Sequence, residues 1–134
     1  MKKLLLFFLL PAVVASCKSI YHADNVSQLP PDQYFEKMKI TPDFTVIDVR
    51  TKMEYKKQHL ENAHSASLLS FRFKKKVAGL DRNKPVFIYC ETAHRSPFAA
   101  RKLRRMGFVE ITDLKKGYKP YRKSLREKPA GGGQ

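Results

Sequence analysis

A cysteine and an arginine in the middle of the chain have the residue types and the spacing for nucleophilic chemistry. Cys90 follows four apolar residues in the stretch VFIYCETAHRS, and Arg95 and Ser96 lie at the start of a helical pattern. A helix N-terminus offers free backbone N–H groups and the positive end of the helix dipole, which stabilise a thiolate. The guanidinium fork of arginine suits oxyanions. The stretch therefore predicts a nucleophilic thiolate at Cys90 with an anion site beside it.

A purely structural role is the alternative for Cys90, because a cysteine at a strand end most often packs as a small hydrophobe. Three features favour chemistry: the strand-to-helix position, the nearby Arg95, and the lack of a second thiol once Cys17 is assigned to another role. Ser96, directly before Pro97, can cap the following helix or donate to a bound anion.

The first 17 residues have the pattern of a bacterial export signal. Residues 1–16, MKKLLLFFLLPAVVAS, combine two lysines, an apolar run of secretory length and small residues before Cys17. The stretch VVASC resembles the lipobox of bacterial lipoproteins, in which the cysteine is acylated and becomes the first residue after cleavage. This resemblance implies lipidation of Cys17 and a membrane-anchored protein that faces the periplasm, on the inner or outer membrane. An uncleaved anchor and plain secretion are the alternatives.

Positive charge dominates the composition and narrows the choice of partners. The 134 residues include 27 Lys and Arg against 12 Asp and Glu, a formal net charge of +15, and most of the excess follows Phe71. Such a surface suits anionic lipids, small anions or nucleic acid, and export makes nucleic acid an unexpected partner. A surface that only maintains solubility is the alternative. The four histidines are too scattered for a ligand set, so we expect no metal site and no cofactor.

Apolar segments typical of strands alternate with segments of helical pattern. Helices are predicted to begin at Pro31 and after Thr51 as N-cap, and further helices are predicted over 70–80, over 95–108 and at the basic C-terminus. Strands are predicted over 44–49, 84–90 and 109–114, with a loop over 61–69. In the predicted helix over 95–108, the expected apolar face consists of Phe98, Ala99, Leu103 and Met106. This alternation predicts an α/β fold with a central, mostly parallel sheet flanked by helices. Ligands in such sheets bind beyond the carboxyl ends of the strands, where Cys90 lies.

The expected organisation has four parts. A signal peptide covers 1–16, a tether 17–29, one α/β domain 30–128 and a flexible tail 129–134. The last residues of the tether, VSQL, could instead begin the fold as a short strand.

Two blocks of the sequence resemble single-domain rhodaneses. VFIYCETAHRSPFAARKLRRMGF is similar to the family's active-site segment, which reads strand, Cys, four residues, Arg, Ser, helix and Gly-Phe. TVIDVRTKMEYKKQHLENAHSAS is similar to a second family pattern, with matching residues at Asp48, Arg50, Glu54, Tyr55, His59 and Ala63. The resemblance covers about 33–123 and implies a rhodanese-like fold, with an active-site loop between a strand and a helix N-terminus.

The resemblance implies a sulfurtransferase that uses a cysteine persulfide. Cys90 would take sulfane sulfur from a small anionic donor such as thiosulfate and pass it to a thiol or cyanide, with Arg95 positioning the donor. The binding loop would consist of Glu91, Thr92, Ala93, His94 and Ser96, and structural roles near the site are expected for Asp48, Arg50, Glu54 and His59. The related cell-cycle tyrosine phosphatases have one more residue between Cys and Arg, so the four residues present here favour sulfur transfer.

Two residues of the loop depart from the family pattern. Ala93 stands where the family usually has glycine, which would cost about 1 kcal/mol if the backbone there needs a positive φ. Glu91 replaces a frequent basic residue, and a nearby carboxylate opposes thiolate formation and repels a dianionic donor. These departures leave one alternative open, a catalytically weak module that binds anions or a partner at the membrane. We expect the chain to be a monomer.

Overall fold

The computed structural model describes residues 25–127, in which strands and helices alternate along the whole length. The strands are β1 (Val26–Leu29), β2 (Thr45–Asp48), β3 (His64–Ser65), β4 (Val86–Tyr89) and β5 (Ile111–Leu114). The helices are α1 (Pro31–Ile40), α2 (Lys52–Lys57), α3 (Phe73–Val77), α4 (Ser96–Arg105) and α5 (Tyr118–Glu127).

The five strands form one sheet in the order β1-β5-β4-β2-β3, and every neighbouring pair is parallel. All four residues of the central strand β4 are buried, as expected for a strand covered by helices on both faces. The predicted α/β fold with a parallel sheet flanked by helices is confirmed. Because all strands run the same way, their carboxyl ends share one edge of the sheet, and Cys90 follows β4 at the middle of that edge.

Alternate residues of β4 pack into two hydrophobic clusters on opposite faces of the sheet. Val86 and Ile88 lie in a cluster with Phe73 of α3 and Leu103 of α4. Phe87 and Tyr89 lie in the other cluster, which includes side chains of α1 and α5. Cys90 belongs to the first cluster, so its side chain points to the face covered by α3 and α4.

The domain begins before residue 30, as the alternative of a short strand at VSQL predicted. Residues 26–29, assigned to the tether, form β1, which pairs along its whole length with β5. Backbone hydrogen bonds from Ile111 to Asn25 and from Lys115 to Leu29 bracket the pair, and Val26 is buried. The pairing satisfies an edge of β5 that would otherwise be open. The predicted signal peptide over 1–16, Cys17, the rest of the tether and the tail over 129–134 lie outside the described residues.

Two other local predictions need correction. The segment 61–69, predicted as a loop, contains the two-residue strand β3, which adds to the edge of β2. Phe98, predicted to lie on the buried face of its helix, is 55% exposed, and Ala100 is buried instead. The helix α4 ends at Arg105, two residues before Gly107, which has a φ of 91° that residues with side chains rarely adopt.

Within residues 25–127, the structure contains no helix with the length and apolar character needed to cross a bilayer.

Candidate active site

The Cys90 side chain is fully buried at the carboxyl end of the central strand. Its Sγ atom accepts a hydrogen bond from the backbone N–H of Ser96, at 3.3 Å, and the thiol donates to the Ser96 hydroxyl, at 3.4 Å. Ser96 is the first residue of α4 and is itself buried. The predicted position of the thiol, between a strand end and a helix N-terminus, is therefore present in the structure.

The loop between Cys90 and α4 presents its backbone to the same space. Among the hydrogen bonds of residues 25–127, the N–H groups of residues 91–95 appear as donors in none. Successive free N–H groups in a tight loop form a concavity that attracts anions. The loop closes this tightly because Ala93 has a φ of 60°, in the left-handed region. The position therefore does need the positive φ that glycine adopts without strain.

Arg95, at the end of the loop, is bound by Glu54 of α2. The two terminal nitrogens of its guanidinium donate to the two carboxylate oxygens of Glu54, at 2.8 and 2.6 Å. These hydrogen bonds, together with those from Thr51, hold the pKa of Glu54 at about 2, well below its usual 4.5. Thr51 and Glu54 also form the capping box that begins α2. One carboxylate therefore fixes both the start of α2 and the end of the Cys90 loop.

Arg50 lies at the other end of the loop and is almost completely buried. Its guanidinium donates three hydrogen bonds to the carboxylate of Asp48, at 2.7 to 3.0 Å, and another to the carbonyl of Gln58. The guanidinium carbon lies 4.5 Å from the centre of the Tyr118 ring, a cation–π distance. The Tyr89 hydroxyl donates to Asp48 at 2.7 Å. Burial and the neighbouring carboxylate raise the pKa of Tyr89, which keeps this hydroxyl protonated as a donor.

The carboxylate of Glu91, the residue after the cysteine, is held between two arginines. Arg50 donates to one oxygen at 2.8 Å, and Arg122 of α5 donates to the other at 3.0 Å. The negative charge that the sequence places beside the thiol is therefore compensated by Arg122 and by Arg50, which shares its charge between Glu91 and Asp48. This pairing reduces the expected repulsion of an anionic donor by Glu91.

The N-terminus of α5, which follows the neighbouring strand β5, supports the Cys90 loop. The N–H groups of Tyr118 and Lys119 donate to the carbonyls of Cys90 and Glu91, at 2.8 and 3.0 Å. Gly117 makes this approach possible, because a Cβ atom there would lie 2.6 Å from the carbonyl oxygen of Glu91. The backbone of the active-site loop is thus fixed by a segment that follows it by more than twenty residues.

Two histidines predicted near the site have local roles. His94 lies on the exposed outer part of the loop, where its ring is 2.9 Å from the Thr92 hydroxyl. His59 is exposed after α2, stacks on the Tyr55 ring and lies 2.9 Å from the Tyr55 carbonyl. The contacts of His59 therefore lie within the α2 segment.

Sequence reasoning missed the residues that support the loop from outside it. Tyr89, Tyr118 and Arg122 were not singled out from the sequence. The available signal was Gly117, because a glycine just after the last predicted strand marks a turn at the edge of the parallel sheet where Cys90 lies. Residues 25–127 hold no cluster of His, Cys, Asp and Glu side chains suited to a metal ion.

Comparison with known families agrees with this geometry. The sequence model of the rhodanese-like domain matches residues 31–124, which include the complete site. The chain belongs to the rhodanese-like family. Among curated relatives, a tRNA sulfurtransferase of Desulfurococcus amylolyticus is 34% identical over 112 residues, 80% of this chain and 22% of that protein. A thiosulfate sulfurtransferase, GlpE, of Coxiella burnetii is 30% identical over 80 residues, 60% of this chain and 73% of that protein.

Solved structures show the same rhodanese-like fold. A rhodanese-related protein from Thermoplasma volcanium superposes with a TM-score of 0.61 at 24% identity, covering 73% of this chain and 92% of that one. The chain spans less than two thirds of the length of the first curated relatives that it matches. The family and the fold are therefore established, and its relatives include proteins named as sulfurtransferases.

Proposed function

We propose that this rhodanese-like protein is a sulfurtransferase that carries sulfane sulfur as a persulfide on Cys90. The observation that carries the proposal is the contact of the Cys90 thiol with the N–H of Ser96, at the end of a four-residue loop of free N–H groups. Hydrogen bonds from N–H groups favour an anionic sulfur over a neutral one. The same groups suit a persulfide anion, whose outer sulfur extends from the thiol.

The proposed reaction has two displacement steps. The Cys90 thiolate attacks the outer sulfur of a donor such as thiosulfate, the new S–S bond forms, and the donor's S–S bond breaks with sulfite leaving as the anion. A thiolate or cyanide then attacks the outer sulfur of the persulfide, and the Cys90 thiolate leaves with the electron pair. No external oxidant or reductant is needed.

The surrounding charges have supporting roles in this proposal. Arg95 and Glu54 fix the end of the loop, and the guanidinium keeps a positive charge near an incoming anionic donor. The two arginines on Glu91 compensate its carboxylate, which reduces the repulsion that Glu91 alone would exert on a dianionic donor. We expect a small anionic sulfur donor and a thiol acceptor.

Mass spectrometry of the intact chain tests the proposal. After incubation with thiosulfate or with glutathione persulfide, the chain should gain the mass of one sulfur atom, and cyanide should remove it. Cys90→Ser should show no gain, whereas Ser124→Ala, in an exposed part of α5, should behave like the unchanged chain. Absence of the adduct with both donors would contradict the proposal.

We also propose that the protein acts as a monomer anchored through acylated Cys17 at the periplasmic side of a membrane. The support is the lipobox-like stretch VVASC after an apolar run with two lysines. Metabolic labelling with a palmitate analogue should mark the chain, and Cys17→Ser should abolish the label. Retention of the label in that variant would reject the assignment of the lipid to Cys17.

A catalytically weak module that binds anions or a partner at the membrane is the second candidate. One observation favours it: both terminal nitrogens of Arg95 already bind Glu54, which leaves the guanidinium less available to a donor. Calorimetry with sulfate and thiosulfate, beside the mass measurement, separates the two functions. Thiosulfate binding without a sulfur adduct would favour the binding module, and an adduct that cyanide removes would exclude it.

A further inference from the structure

Three of the seven large apolar side chains that are exposed within residues 25–127 lie on the helix that begins at Ser96 or in the segment before α3. Leu69 and Phe71 lie between β3 and α3, and Phe98 lies in the first turn of α4. Leu69 is 69% exposed and Phe71 is fully exposed. Single exposed apolar residues are common, but neighbouring ones next to a concavity mark a binding surface.

A groove of about 300 Å³ lies at this place. The residues that line it are Leu68, Leu69, Ser70, Phe71, Phe73, Lys74 and Lys102. The Lys102 ammonium of α4 lies 5.7 Å from the centre of the Phe73 ring of α3, and this contact connects the two sides of the groove. Phe98 precedes Lys102 by four residues and therefore extends the same face of α4. We call the lining residues together with Phe98 the apolar groove.

The apolar groove lies on the same side of the sheet as the Cys90 side chain. Cys90, Phe73 and Ala99 belong to one hydrophobic cluster, and the Ser96 that binds Sγ begins the helix that carries Phe98. A molecule seated in the groove therefore contacts the helix whose first residue binds the Cys90 sulfur.

Both segments that form the apolar groove carry only positive charge. Residues 62–80 and 92–109 contain no carboxylate, and their cations are Arg72, Lys74, Lys75, Lys76, Arg95, Arg101, Lys102, Arg104 and Arg105. Within the described part of the chain, only Arg95 among these is in a salt bridge. A partner with acidic residues around an apolar side chain complements this surface.

We propose that the apolar groove docks an acidic protein whose cysteine accepts the sulfur from Cys90. This inference rests on the proposed function and names its acceptor class. The partner's thiolate attacks the outer sulfur of the Cys90 persulfide, the S–S bond breaks, and Cys90 leaves as a thiolate while the partner becomes the persulfide. A small thiol has no apolar side chain to fill the groove, whereas a protein supplies one as an anchor within a polar rim.

Anionic membranes and RNA would use the same cations, but they fit the apolar groove less well. A bilayer presents no side chain to fill a concavity. RNA bases stack on aromatic rings, yet Leu68 and Leu69 supply an aliphatic part of the wall. The combination of a concave apolar surface and surrounding lysines favours a protein.

Sulfur transfer from the persulfide of the full chain to designed acceptors tests the inference. Three peptides each carry one cysteine: one with leucine and phenylalanine flanked by glutamates, one with the glutamates replaced by lysines, and one with the apolar residues replaced by serine. Cyanide is the reference acceptor. We expect the acidic apolar peptide to react about ten-fold faster than either of the others, because both anchor and charge contribute. This advantage should shrink as salt increases.

Variants of the apolar groove should remove that advantage. In Phe71→Ser and Phe98→Ser, the ratio of the rate with the acidic apolar peptide to the rate with cyanide should fall about five-fold or more. Ile40→Ser and Leu125→Ser, at exposed apolar positions outside both segments, serve as matched controls and should keep the ratio. Equal rates for the three peptides, or equal losses in the control variants, would overturn the inference.

Further measurements separate this inference from the proposed function. If Cys90 takes up no sulfur from any donor, the proposed function fails. Fluorescence anisotropy of the acidic apolar peptide, with its cysteine replaced by serine, then reports on docking alone. Binding that Phe71→Ser weakens supports the surface, and binding that it leaves unchanged rejects it. Preferential binding of transfer RNA or of phosphatidylglycerol vesicles at the groove, without any advantage of the acidic apolar peptide, would also reject it.

Discussion

Arg50 and Arg95 border the two ends of the Cys90 loop, and each is bound by a carboxylate: Arg50 by Asp48 at the end of β2, and Arg95 by Glu54 of α2. Arg50 is 1% exposed, donates to Asp48, Glu91 and the Gln58 carbonyl, and packs against the Tyr118 ring. Arg95 is 23% exposed and its guanidinium binds Glu54. Arginine therefore has two different positions around this loop. Arg50 is buried and connects four segments, whereas Arg95 is partly exposed at the end of the loop.

This difference in burial assigns Arg50 to the stability of the domain and Arg95 to the binding of an anion. The charge of Arg50 is fully desolvated, so its partners must remain in place for the domain to be stable. Arg95 remains in contact with water and can exchange part of its hydrogen bonding with an incoming anion. We therefore expect changes at the two ends of the loop to have different consequences.

Removal of the buried arginine should have the largest effect. Arg50→Ala leaves the carboxylate of Asp48 buried without its partner, which should lower the free energy of unfolding by about 3–5 kcal/mol. Chemical denaturation followed by circular dichroism measures this loss. Arg104→Ala, at an exposed position of α4, should change the stability by less than about 0.5 kcal/mol. A loss below about 1 kcal/mol in Arg50→Ala would contradict the comparison.

Acid should remove the contribution of the Arg95–Glu54 pair to the stability of the folded state. The pKa of Glu54 is lowered to about 2 by Arg95, so this pair stabilises the folded state fully above pH 4.5, and the contribution is lost as the pH falls through 2. Glu54→Gln should be less stable at neutral pH by about 1–2 kcal/mol and should lose this part of the acid dependence. Stability measured from pH 2 to 6, with Glu36→Gln as the exposed control, checks it. Parallel acid profiles for Glu54→Gln and the unchanged chain would argue against the role of the pair.

The loop between the two arginines should become more stable with glycine. Ala93→Gly relieves the left-handed backbone and should raise the free energy of unfolding by about 1 kcal/mol. Ala78→Gly, at an exposed right-handed position after α3, should instead lower it by a similar amount. Thermal unfolding of both variants measures the contrast. A decrease in Ala93→Gly would show that the φ at this position is not strained.

The salt bridge from α5 to Glu91 should have the smallest effect on stability. Arg122→Ala should cost less than about 1 kcal/mol, since the arginine side chain is 25% exposed and Arg50 still pairs with the carboxylate. Its rate of persulfide formation with thiosulfate should fall more than that of Arg126→Ala, an exposed residue of the same helix, because Glu91 then loses one of two compensating charges. Equal rates in the two variants would place the compensation in Arg50 alone.

Local patterns were sufficient for most of the fold. The apolar run before Cys90, the capping box of Thr51 and Glu54, and the glycine at the end of α4 each depend on neighbours within a few residues. β1 and β3 were harder to predict, because short edge strands depend mainly on pairing with a distant strand. The burial of Phe98 was predicted wrongly because an aromatic residue in a helical pattern can equally lie on the surface of the protein.

The site was predictable in its residues but less so in its contacts. The thiol and its position follow from residue types and order, whereas the binding loop and the strain at Ala93 were predicted from the family resemblance. The pairing of Arg95 with Glu54 and of Glu91 with Arg122 joins residues 41 and 31 positions apart, and nothing in the local sequence selects these partners among so many basic residues. A pairing of this kind is set by the arrangement of the strands.

The close approach at Gly117 links the shape of the site to the order in which the chain is made. Cys90 leaves the ribosome well before Gly117, Tyr118 and Lys119, whose backbone fixes the carbonyls of Cys90 and Glu91. Until α5 emerges and docks, the loop lacks this support, and the thiol belongs to an incomplete domain. The nascent chain therefore acquires its finished anion-binding loop only after α5 has left the ribosome and docked.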